Sequence, residues 1–127
     1  MLRHIKKKNF ILIESDLAPR NMKSLINEIN SKNVGINYDT GNSAGNGYFF
    51  NDEKKYFKFV KNIHIKDKKL KGKSVKLGKG DFNFKNFFKY LKHIKYKGDF
   101  AFQTARSKEK NHFNEFKSNL EYIKNYV

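Results

Sequence analysis

Residues 34–42 read VGINYDTGN, a short apolar run that ends in an acid and then breaks on Thr40, Gly41 and Asn42. A strand that delivers a carboxylate and stops on glycine is how a parallel α/β sheet presents a ligand group at its carboxyl edge. The pattern recurs along the chain. Phe10 to Ile13 is a continuous apolar run closed by Glu14, Asn62 to Lys66 alternates and ends at Asp67 with His64 inside it, and Asp99 to Phe102 runs into Gln103, Thr104 and Arg106. Strands are therefore expected at roughly 9–14, 34–39, 61–66 and 99–103.

Helical spacing fills the intervals. Met22, Leu25, Ile26 and Ile29 mark an amphipathic helix over about residues 20–31, with Pro19 suited to its start. Asp52 is placed to cap an element over about 52–59, whose Tyr56, Phe59 and Val60 share a side. Phe84, Phe87, Phe88, Leu91 and Ile94 recur at i, i+3, i+4, i+7 and i+10, and Phe113, Phe116, Leu120 and Ile123 give a last helix. Gly41, Gly45 and Gly47 form a small polar loop in which Gly45-x-Gly47 is too weak a phosphate signal to stand alone. Lys68 to Lys73 reads as a basic loop and Ser74 to Asp81 as a turn with two glycines. Met1 to Lys8 is at most a helix remnant. The order is strand then helix, four times, which requires a parallel sheet with right-handed crossovers. No linker divides residues 1–127, so a single domain is expected.

Composition narrows the chemistry. Without cysteine, any metal must be held by carboxylate, imidazole or amide groups, which favours a hard cation. The net charge of +16 raises nucleic acid as a partner, but lysines are spread throughout and the arginines are only Arg3, Arg20 and Arg106. Arginine is the bidentate reader of phosphate and guanine, so a dedicated nucleic-acid role is disfavoured. No apolar run is long enough for a membrane span and the start lacks a signal-peptide core, so a cytoplasmic protein is expected.

In a parallel sheet all strand ends open on one side, so Glu14, Asp39, His64 and Gln103 can converge. Two carboxylates, an imidazole and an amide oxygen suit Mn²⁺, Mg²⁺ or Co²⁺ better than Zn²⁺. Each residue also has a bland explanation: an Asx turn at Asp39, a turn cap at Glu14, a core histidine at His64. Convergence of three at successive strand ends weighs against three coincidences.

Glu14-Ser-Asp-Leu, Asn37-Tyr-Asp-Thr-Gly-Asn42, Ile63-His-Ile-Lys-Asp67, Leu77-Gly-Lys-Gly-Asp81 and Tyr96-Lys-Gly98 resemble, in order and spacing, the C-terminal half of the xylose isomerase-like TIM barrel. More narrowly they resemble its sugar phosphate isomerase/epimerase branch. The resemblance implies a (β/α)4 half barrel with a divalent metal held by Glu14, Asp39, His64 and, at the fourth position, Gln103. It implies proton transfer next to a carbonyl through an enediolate, with the first and last ligand residues as the acid-base pair. Asn42, Lys66, Asp67 and Arg106 fall where a sugar or sugar phosphate would be bound.

Two departures qualify this. Gln103 stands in Gln103-Thr-Ala-Arg106 where a glutamate is expected, and an amide cannot accept a proton, so impaired catalysis is expected. The 127 residues also fall short of the roughly 200–250 of a complete barrel. A separate N-terminal half, self-association to close a barrel, or a degenerate relic each accounts for that length. Two other functions stay open: a non-catalytic metal- or sugar-binding remnant, and a metal-dependent endonuclease for abasic DNA on the same barrel.

Overall fold

The computed structural model describes residues 9–106 and 111–127, so the reading of Met1 to Lys8 lies outside the described residues. In chain order the elements are β1 (Ile11–Ile13), α1 (Pro19–Ile29), β2 (Val34–Asp39), α2 (Thr40–Asn46), α3 (Phe50–Glu53) running into a 3-10 turn (Lys54–Phe59), β3 (Val60–Ile65), β4 (Asp67–Lys68), β5 (Ser74–Val75), α4 (Phe84–His93), β6 (Asp99–Phe102) and α5 (His112–Lys124). The main sheet is parallel in the order β1-β2-β3-β6, and β4 and β5 form a small antiparallel hairpin. This is the α/β partial barrel expected of alternating strand and helix.

β2 is buried throughout and β3 at Val60, Ile63 and Ile65, because each has a strand on either side and helices on one face. Ile36, Tyr38, Ile63 and Ile65 point to the helices and join Met22 and Ile26 of α1 and Phe84, Phe87, Phe88 and Leu91 of α4 in one core. The α4 periodicity is thus a buried stripe, as its spacing requires. The outer strands differ: Ile11 and Leu12 on β1 and Phe100 on β6 remain exposed.

On the other face stand Asn37, Asp39, Asn62 and His64. The β2–β3 register steps between Ile36 and Asn37, pairing Ile36 with Val60 but Asn37 with Asn62, so Lys61 is left over as a bulge. Val60 therefore stays in the core while Asn62 and His64 align with Asn37 and Asp39 on the inner face, a re-aiming that bulges near functional sites supply.

Several expected details change. Residues 40–46, read as a polar loop, form α2, because Asp39 Oδ1 accepts the Asn42 N–H at 2.9 Å as an N-cap. Asp52 does not cap the next element: Phe49 occupies that position, and Asp52 lies in the first turn paired with Lys55 at 2.6 Å. The basic loop and following turn contain the β4–β5 hairpin.

Candidate metal centre

Asp39 has two oxygens with two tasks. Oδ1 caps α2, whereas Oδ2 is buried without a hydrogen-bond partner among the described residues. A buried, unpaired carboxylate oxygen is costly unless a cation faces it. His64, paired with Asp39 in the β2–β3 register, brings its Nδ1 to 4.0 Å from that oxygen and to 3.0 Å from Glu14 Oε2. One ligand atom from each of Glu14, Asp39 and His64 lies within 4.8 Å of the others. Their side chains grade from 1 % exposed at Asp39 through 21 % at His64 to 36 % at Glu14, so the cluster opens toward solvent on the β1 side. The turn reading and the ligand reading of Asp39 are compatible, since one oxygen serves each.

Neighbouring polar groups hold these residues in place. Asn37 Nδ2 donates to Glu14 Oε2 at 2.5 Å and lies 3.1 Å from the His64 ring nitrogens, while its Oδ1 accepts from Asn62 Nδ2 at 2.7 Å. Neither asparagine is a predicted site residue. The spacing carried the signal: Asn37 is two residues before Asp39, and Asn62 two before His64, which puts each pair on one face of its strand. Thr40 Oγ1 accepts the Lys66 N–H at 2.8 Å and sits 2.5 Å from the Lys66 carbonyl, tying the ends of β2 and β3 together.

Gln103 makes its described contacts with β3 and Lys66. Its N–H donates to the Ile65 carbonyl at 3.1 Å, and its amide oxygen accepts from Lys66 Nζ at 3.2 Å. Ala101 is the β6 partner of His64, so Gln103 stands two residues beyond the level of the imidazole. The Lys66 stem reaches it by passing over Gly41, where a Cβ would fall 2.7 Å from Lys66 Cγ. Asn42 lines a small cavity with Asp39, Ser15 and Tyr48, and Arg106 is exposed beyond β6.

Asp67 departs from the substrate contact expected of it. It is fully buried, and its carboxylate accepts from the backbone of Gly78, Gly80 and Phe82 at 3.0, 2.8 and 3.3 Å. Burial pushes its carboxyl up from the ordinary range, and those backbone bonds pull it back. It organises the 78–82 loop instead of facing the mouth.

Glu53, unremarked in the sequence, is buried behind the site. Tyr38 and Ser43 hydroxyls each donate to its Oε2 at 2.8 Å. Burial raises it to about 7 from an ordinary 4.5, against the lowering effect of the Ser43, Tyr38 and Tyr56 hydroxyls.

The family model described as xylose isomerase-like TIM barrel matches residues 15–126. A search of curated proteins gave no match. Among solved structures, a xylose isomerase domain protein from Planctomyces limnophilus shares 22% identity over 92% of this chain and 45% of its own, with a TM-score of 0.78. The IolI protein with a bound zinc atom shares 17% identity over 85% of this chain and 44% of its own, at 0.70. D-psicose 3-epimerase from Clostridium cellulolyticum H10, with D-tagatose, shares 11% over 86% and 43%, at 0.65. At these identities the likeness is one of fold. The chain spans less than half the length of each of these structures. Among the described residues no helix is long and apolar enough to cross a membrane.

Proposed function

The chain belongs to the xylose isomerase-like TIM barrel family, and on that footing we propose that it carries the metal-holding half of a sugar or sugar-phosphate isomerase or epimerase site. The observation that carries this reading is the buried Asp39 Oδ2, without a hydrogen-bond partner among the described residues and close to His64 and Glu14. Two carboxylates and an imidazole fit a divalent cation, and the zinc in one structural neighbour adds Zn²⁺ to Mn²⁺, Mg²⁺ and Co²⁺ as candidates.

When bound, such a cation polarises a carbonyl and its neighbouring hydroxyl, acidifying the C–H between them. The residues of this chain divide the remaining work. Asp39 and His64 fix the position of the cation. Glu14, the most exposed of the three, takes the proton from the substrate carbon and returns it, held in orientation by Asn37. Asn42, Lys66 and Arg106 contact substrate hydroxyls or a phosphate. Gln103 reaches the centre only if Lys66 releases its amide oxygen, and it supplies no base in either position. The open edges of β1 and β6 are completed by a complementary βα half, whether on the same polypeptide, a separate one or a second copy.

The Lys66–Gln103 contact also favours a second reading, in which the chain binds metal and sugar without turnover. A nuclease reading has less support, since His64 is the one histidine of the cluster. Incubating the protein with ketoses and ketose phosphates in D₂O, with each metal in turn, separates these. Metal-dependent deuterium incorporation next to the carbonyl, lost in Glu14→Gln, is expected. Metal binding without any incorporation supports the second reading.

A further inference from the structure

A groove of about 960 Å³ lies on the outer, helical side of the sheet, between the α2–α3 segment and α4. Its aromatic lining is continuous. Phe50 packs edge-on against Tyr90 at 5.1 Å and against Phe87 at 5.5 Å between ring centroids, and Phe82 packs against Phe87 at 5.1 Å. At its rim Phe49 and Leu70 are 80% and 55% exposed, an arrangement that leaves large apolar side chains in water beside an apolar trough.

Lysines outnumber carboxylates in the lining of the groove. Lys54, Lys89 and His93 line it, and Lys54 Nζ lies 5.0–5.1 Å from the centroids of Tyr90 and Phe50. Among the described residues Lys54 has no carboxylate partner, and its Nζ donates to the neutral Asn51 amide at 3.0 Å. The one lining carboxylate, Asp81, is engaged by Lys69 at 3.2 Å and by the Leu70 N–H at 2.8 Å. The groove therefore offers an apolar body site with the Lys54 ammonium beside its aromatic lining, a match for an amphiphile bearing one negative charge.

Two other occupants fit worse. A second copy of this chain, at net charge +16, would set lysines against lysines. The complementary half of a barrel joins at the edges of β1 and β6, whereas the groove lies over the helices that follow the inner strands β2 and β3. Closing the barrel leaves it on the outside.

We propose that this groove is a second binding site, separate from the metal centre, for a free long-chain carboxylate whose head group meets Lys54 and whose hydrocarbon body lies along Phe50, Phe82 and Tyr90. The proposal does not depend on the isomerase reading.

The test is a titration of isotopically labelled protein with sodium dodecanoate below its micelle concentration, followed by NMR and calorimetry. One saturable site is expected, with amide shifts confined to residues 43–54 and 81–93. Lys54→Gln is expected to weaken binding about tenfold, and Phe49→Ser, at a largely exposed position, to weaken it about threefold without altering the fold. Dodecyltrimethylammonium, which has the same body and the opposite charge, should not bind the groove. Shifts scattered over the lysine-bearing surface, equal binding of the cationic amphiphile, or undiminished binding in Lys54→Gln would overturn the proposal. So would anionic vesicles or an acidic peptide occupying the groove where dodecanoate does not. If Lys54→Gln fails to fold, Lys89→Glu, at an exposed position, replaces it with the same expected direction.

Discussion

The inner strands and the outer strands of this sheet contribute to the same mouth in different ways. Asp39 and His64 end strands that are hydrogen-bonded on both sides and backed by the core, and their side chains are the least exposed of the cluster. Glu14 and Gln103 end strands with one neighbour each, and both residues are exposed. A ligand on an inner strand is oriented by packing before anything binds. A ligand on an edge relies on side-chain partners: Asn37 for Glu14, and Lys66 for Gln103. The outcomes differ because Asn37 turns Glu14 toward the cluster, while Lys66 engages the oxygen that Gln103 would lend to it.

Substitutions can break this contrast, beginning with the largest effect. Ile63→Ala, at a fully buried inner-strand position, should cost about 2–5 kcal/mol in chemical denaturation, whereas Phe100→Ala on the half-exposed edge should cost about 1–2 kcal/mol. Equal losses would mean that the inner strands are no better packed than the edges. Next in size is pH. The folded-state carboxyl of Glu53 is raised above its unfolded value, so its stabilising effect is complete below pH 4.5 and is lost as pH rises through about 7. The loss amounts to about 3 kcal/mol across that window. Glu53→Gln should flatten the denaturation midpoint over the same range, and an unchanged slope would place the titration elsewhere. The smallest effect concerns the edge itself: Gln103→Glu restores a carboxylate beside Lys66 and should raise deuterium exchange from a ketose several-fold while leaving metal affinity nearly unchanged.

Much of this was legible in the sequence where one physical constraint dominates. The buried stripe of α4 and the apolar face of the inner strands follow from periodicity, and Glu14, Asp39 and His64 follow from reading strand ends together. Helix α2 was hidden because Thr-Gly-Asn-Ser-Ala-Gly-Asn has poor intrinsic helix propensity; the cap from Asp39 and the tether of Thr40 to β3 supply what propensity lacks. The bulge at Lys61 and the burial of Asp67 depend on contacts between distant segments, which a local pattern does not encode. Asp67 looked like a mouth residue because it follows His64 closely, yet its partners lie 11 to 15 residues onward.

The central claim, that Glu14, Asp39 and His64 hold a divalent cation with Gln103 outside the set, is tested most directly by calorimetric titration of the protein with Mn²⁺, Co²⁺, Mg²⁺ and Zn²⁺ alongside Asp39→Asn and Gln103→Ala. One site that weakens about 100-fold or more in Asp39→Asn and less than about threefold in Gln103→Ala is the predicted result. Folded wild-type protein that binds none of the four metals, or binding that survives loss of the Asp39 carboxylate, would contradict it.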